Sequence, residues 1–176
     1  MSLTMYSLTV PVLKKGINTL AGILTKAKAY CDGKQIDQSV VLNDRLFPDM
    51  FPLARQVQVA CDQAKNAAAH FAGVEPPVFE DTETTIDQLL ARIEKTSAYL
   101  DQLSAGQIDG SEARPVSFVV GGYKMAFPSG HVYLQNFVLP NFYFHLATAY
   151  DILRHNGVDL GKGDFLGDMG AEVSMA

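Results

Sequence analysis

The apolar positions of this 176-residue chain recur first with helical spacing. Leu13, Ile17, Leu20 and Leu24 step by four, three and four, while Lys14, Lys15, Lys26 and Lys28 fall mostly on other faces. This spacing predicts a helix over Val10–Tyr30, stopped by Asp32 and Gly33. A polar connection through Asn43, Asp44 and Arg45 leads to Pro48 and Asp49. A second helix is predicted from near Asp49 to about Phe71, with Gly73 ending it. Its inner stripe is Leu53, Val57, Ala60, Ala64 and Ala68, and small side chains there predict a close approach to a neighbouring helix.

Pro76 and Pro77 mark a loop from Val74 to Asp81. Thr82 or Thr84 is the expected cap of a third helix, with Glu83 and Asp87 favourable near its positive end. Ile86, Leu89, Leu90, Ile93, Leu100 and Leu103 form its apolar face, and the stretch Gly106–Gly110 stops it. Then the period changes. Pro115–Val120 and Tyr123–Phe127 are short β-prone runs around Gly121 and Gly122, which is a two-residue hairpin signal. A fourth helical region is expected from Ser129, as N-cap, to Gly157, kinked or split at Pro140. Leu134, Val138, His145 and Ile152 share one of its faces, and Tyr133, Leu139, Tyr143 and Phe144 cover much of the rest. A helix apolar on several sides needs more than one neighbour, so a homodimer is expected. Residues 158–176 read as a Gly-rich tail that packs loosely.

The fold class is therefore all-α, a four-helix bundle with a short β-hairpin between the third and fourth helices, in a single domain over residues 1–176. Composition agrees. Hydrophobic residues make up 48% and charged residues 19%, a globular balance. Fourteen Lys and Arg face 19 Asp and Glu, for a net charge of −5, which disfavours nucleic acid or an anionic membrane as partner. No Asp, Glu, Lys or Arg occurs from Met125 to Tyr150, but Pro128, Pro140, Asn136 and His145 make that stretch too costly for a bilayer core. With no secretory pattern at the start of the sequence, a cytoplasmic location is expected.

Cys31 and Cys61 do not form a CxxC pair and read as buried structural thiols. Pro128, Ser129, Gly130 and His131 match the central motif of the phosphatidic-acid-phosphatase superfamily, with Arg114, His155 and Asp159 near its flanking pieces. The cationic clamp is missing: Gln107 stands at the lysine position and Thr148-Ala149 replaces Ser-Arg, so charge developing on a phosphate goes unstabilised. Helix capping by Ser129 explains the tetrapeptide better. Gly161-Lys162 is followed by Gly163 rather than Ser or Thr, and it follows a helix, so it is no phosphate loop.

The chemistry-bearing pattern is Asn141 and His145, four apart and stacked on one helical face. Gln56 and Gln58 are the polar residues expected to face them from the second helix. Helix bundles build metal sites from such pairs with a third ligand from a facing helix. Amide oxygens are poor transition-metal donors beside His, Cys or carboxylate, so a core histidine satisfied by amides competes with that reading.

The segment Leu139–Gly157, followed by Gly161-Lys162 and Asp164-Phe165-Leu166-Gly167, resembles a bacterial family of unknown function in the DinB-like superfamily. Phe47–Leu53 and Gln56–Asp62 carry the same resemblance, which spans essentially the whole chain. It implies a four-helix bundle, often dimeric, in which some members hold a divalent metal through three histidines and some are thiol-dependent transferases or isomerases. The three ligand positions would fall on Gln56, Asn141 and His145, of which His145 alone keeps its type. The expectation is a small-molecule pocket between the second and fourth helices, lined by Gln56, Asn141 and His145, with a degenerate metal site. His145 would be the ligand if zinc, nickel or iron binds, and the donor set favours no metal. The hairpin would cover its mouth. The alternative is a non-catalytic homodimer in which the polar trio is only a core hydrogen-bond network.

Overall fold

The computed structural model describes residues 3–171. The chain is mostly helical, with one two-stranded antiparallel sheet. Helix α1 (Met5–Lys34) starts five residues before the predicted Val10, because Thr4 and Ser7 close a capping box ahead of it. Pro11 lies inside α1 without ending it. The stop is Gln35 rather than Gly33. Gln35 takes the left-handed conformation, φ 56°, and Ile36 N–H donates to the Cys31 carbonyl at 2.9 Å. Ile36 packs against the core just past this turn, so a hydrophobic contact fixes the register and a non-glycine residue bears the positive φ.

The connection read as polar contains a short helix, α2 (Gln38–Asn43), capped by Asp37 and anchored by buried Val41 and Leu42. Helix α3 (Leu53–Ala72) begins four residues after Asp49. Pro52 disfavours helical backbone at Phe51, so the helix cannot extend back through it. Gly73, φ 71°, ends α3 as expected. Helix α4 (Ile86–Asp101) is capped by Thr85, through a capping box with Gln88, and not by Thr82 or Thr84. A further short helix, α5 (Ala105–Ile108), precedes the hairpin.

Strands β1 (Val116–Val120) and β2 (Tyr123–Phe127) pair from Val116 with Phe127 to Val120 with Tyr123. Gly121 and Gly122 both have positive φ, 56° and 82°, the backbone that a tight two-residue turn requires. Ser129 caps α6 (Gly130–Tyr133), its hydroxyl accepting from Val132 N–H at 3.2 Å. A π-helical turn over Leu134–Val138 then runs into α7 (Leu139–His155). Pro140 therefore sits in the first turn of α7, and the interruption expected at the proline takes the form of the π-helical turn just before it. Residues 158–166 do not form a loose tail. Val158 and Leu160 are buried, and α8 (Lys162–Leu166) packs on α1, with Lys26 paired to Asp164 at 2.6 Å. The last residues of that segment, 172–176, lie outside the described residues.

Helix α3 is central, packing on α1, α4 and α7. Ala60, Ala64, Ala67 and Ala68 are fully buried, as the small-residue stripe predicts. A methyl group at Gly16 of α1 would strike the Phe142 ring of α7, so a missing side chain sets that approach too. Buried Arg92 of α4 binds the Glu80 carbonyl, Glu83 and Asp62, and Lys65 of α3 pairs with Asp62 at 3.1 Å. These bonds fasten the proline-rich loop of residues 74–85 across α3 and α4. Phe79 of that loop lies under Lys95, 4.0 Å from ring centre to ammonium. Among the described residues no helix is long and apolar enough to cross a membrane.

Candidate functional site

Helices α3 and α7 bring two of the three expected residues together. His145 Nδ1 lies 2.7 Å from Gln56 Oε1, with Gln56 1% exposed and His145 7%. The Gln56 amide nitrogen donates to the Phe51 carbonyl at 2.9 Å, which turns its oxygen toward the imidazole. Nδ1 must then carry the proton, and Nε2 keeps the lone pair. Such an arrangement, one ring nitrogen donating to a carbonyl oxygen, orients and fixes the tautomer of a histidine that binds something through the other nitrogen. Gln56 is thus a positioning residue for His145 and not a second donor beside it.

Asn141, half-buried one turn before His145, makes no hydrogen bond to either partner among the described residues. Gln58, expected on the same side, instead donates to Glu83 at 2.9 Å and belongs to the Arg92 cluster. Burial, with Arg55 nearby, pushes the His145 pKa down to about 4, so its imidazole is neutral at physiological pH. Neutral imidazole is the metal-binding form, but a three-ligand centre needs two more good donors. Both polar atoms of the Gln56 amide are already engaged, and no group of three His, Cys, Asp or Glu side chains is assembled among the described residues. The residues present do not fit a three-ligand transition-metal centre.

The hairpin does not cover this pair. It lies over the far end of α3, where His70 Nδ1 meets the buried Tyr133 hydroxyl at 3.0 Å. Fourteen residues separate Gln56 from His70, about 21 Å of helix. Phe118 of β1 stacks on His70, with ring centres 4.9 Å apart, and Phe127, Tyr133 and Phe137 close an aromatic cluster around it. A cleft of about 390 Å³ opens there between α3 and the hairpin. The sequence pattern passes over His70. The available signal is Gln56, Gln63 and His70, seven apart along one face of α3, but only the fold places a hairpin over the last of them.

The phosphatase-like tetrapeptide has a structural role. Ser129 is a helix cap, Gly130 sits against the Ser111 carbonyl where a methyl group would collide, and Arg114 donates to the Phe71 carbonyl near the end of α3. Cys31 and Cys61 are free and buried, and burial pushes the Cys61 thiol up to about 12, far from a reactive thiolate.

No curated protein matches the chain. Its fold is similar to the crystal structure of a DinB family member protein from Shewanella denitrificans, at a TM-score of 0.84 and 38% sequence identity. The match covers 96% of this chain and 95% of that one, so it runs through both the α3–α7 pair and the hairpin. Residues 5–166 match the profile of a family described as a domain of unknown function, DUF1993. The chain belongs to the DUF1993 family, a DinB-like family of unknown function.

Proposed function

We propose that this protein is a small-molecule binder of bacterial cytoplasm, built on a DinB-type four-helix bundle whose metal site has degenerated to one histidine. The observation that carries the reading is the Gln56 clamp, which fixes the proton of the buried, neutral His145 on Nδ1 and leaves Nε2 as its acceptor. A group with a pKa near 4 is a weak base at neutral pH, so His145 accepts a hydrogen bond from a ligand N–H or O–H rather than removing its proton. Asn141, half-buried one turn away, offers a second polar contact from α7. A divalent ion would meet one good nitrogen here, which is too few for tight binding. The test is the zinc, nickel and iron content of untagged protein purified without chelator, beside His145→Ala. Substoichiometric metal, equal in both proteins, is expected. Near-stoichiometric metal lost in the variant overturns the reading.

A second reading is a non-catalytic homodimer in which the His145–Gln56 bond only satisfies buried polar groups. It is favoured by Tyr143 and Phe144, adjacent on α7 and 38% and 53% exposed. A helix that turns its aromatic residues outward has surface left for a second copy.

A further inference from the structure

We propose that the cleft between α3 and the hairpin is a second binding site, and that it takes a flat aromatic amine. The cleft has the volume of a small-molecule pocket, about 390 Å³, and two unlike walls. One is apolar: Phe118, Val120 and Phe137 face it from the hairpin and the π-helical turn. The other, from α3, presents Gln63 and Asn66, and the walls meet at the floor where His70 stacks on Phe118. Aromatic surface on one side, carboxamide groups on the other and an imidazole at the floor suit a planar ring with polar edge atoms.

The charge of the ligand follows from what lines the cleft. Glu75, exposed at the rim, is its one charged side chain among the described residues. The nearby ammonium of Lys65 is already bound to Asp62 and to the Asn66 side-chain oxygen, 3.1 and 2.8 Å away. His70 adds no positive charge, because its burial favours the neutral ring. The Arg114 guanidinium, beside Gly73, is bound by the His70 and Phe71 carbonyls and does not line the cleft, so an anion would enter against Glu75 with no cation on the walls, whereas an amine would pair with that carboxylate.

The floor is pre-organised as well. The Tyr133 hydroxyl is protonated, since burial raises its pKa, and Nδ1 of His70 is its partner. A buried hydroxyl with one partner donates to it, because an unmade donor is the costlier omission. His70 then carries its own proton on Nε2, so the imidazole offers a donor to a ring nitrogen or carbonyl of the ligand. None of these groups belongs to the Gln56–His145 pair, so the site stands or falls separately from the function proposed above.

Titration of the isotopically labelled full chain with tryptamine, indole and indole-3-acetate, followed by amide and side-chain NMR, tests the proposal. Tryptamine should shift the resonances of His70 and of residues 117–120 saturably. It should bind more tightly than indole, and indole-3-acetate should bind most weakly. One partly exposed ion pair implies a step of about two- to fivefold between tryptamine and indole. Glu75→Gln should level tryptamine with indole, and Glu75→Lys should reverse the order of tryptamine and indole-3-acetate. Glu75 is exposed, so neither change disturbs the fold. Absence of saturable shifts at the cleft, saturation at other residues, or an order unchanged in the Glu75→Lys protein would each overturn the assignment.

Discussion

Two histidines on this chain are held neutral by burial, and each is bound at Nδ1 by a single neighbour, Gln56 for His145 and Tyr133 for His70. At the residue scale this has a consequence for acid stability. His145 titrates near 6.5 when solvated and near 4 in the fold. Between those values the unfolded chain takes up a proton that the folded chain refuses, so stability is complete above pH 6.5 and declines as the pH falls toward 4. The loss over that window is up to about 3 kcal/mol from this side chain. His70 is shifted in the same direction, by its own burial and against the opposing pull of Glu75, and adds to the slope. In His145→Gln the decline should be shallower, leaving the part that His70 and the carboxylates supply. Urea unfolding of both proteins near pH 7 and near pH 4 measures it. Equal slopes in the two proteins would show that His145 is not desolvated in the fold.

At the scale of elements, apolar period located α1, α3, α4, α7 and the hairpin, while their ends were decided by other forces. A capping box moved the start of α1 ahead of its apolar stripe, another made Thr85 the cap of α4, and Pro52 delayed α3. Docking of Ile36 placed the left-handed residue at Gln35 in preference to Gly33. The interruption expected at Pro140 takes the form of a π-helical turn just before it. Two glycines of α1 separate helix propensity from packing. Gly16 faces Phe142 with no room for a methyl group, whereas an added Cβ at exposed Gly22 meets nothing within 4 Å. Gly16→Ala should destabilise by about 1–3 kcal/mol through overpacking. Gly22→Ala should stabilise by about 0.5–1 kcal/mol, because alanine restricts the unfolded chain and favours helix. Thermal unfolding of the two variants should therefore shift in opposite directions. A stable Gly16→Ala protein would mean that α1 and α7 part easily, which the close approach at Phe142 denies.

At the scale of the whole molecule, the outer face of α7 carries the open question. Tyr143 and Phe144 stay accessible although α7 is buried on its inner side by α1 and α3. If a second copy covers them, light scattering should give twice the 19.2 kDa chain mass. Phe144→Glu should then return a monomer of unchanged helix content, because that ring is exposed and its replacement costs the single chain little. A monomeric wild-type protein would remove the dimer reading and leave the two aromatic side chains as ordinary surface.

Sequence alone located the long helices α1, α3, α4 and α7 and the hairpin, and it singled out Gln56 and His145, which the fold brings together. Period, turn glycines and the alanine stripe report local geometry, and local geometry is what a helix or a hairpin needs. The resemblance over Leu139–Gly157 marked His145, and its partner Gln56 lay within the residues that carry it. Tertiary structure decided how these groups are used. Tautomer, burial and charge state depend on which side chains from distant segments meet: Gln56 on Nδ1 of His145, Arg55 beside His145, Glu83 drawing Gln58 away, and the hairpin lying over His70 instead of His145. None of those contacts leaves a periodic trace, because each joins residues whose spacing along the chain is set by loops. The same pairing of walls from α3 and the hairpin creates the cleft, a feature that belongs to the fold and to no single segment.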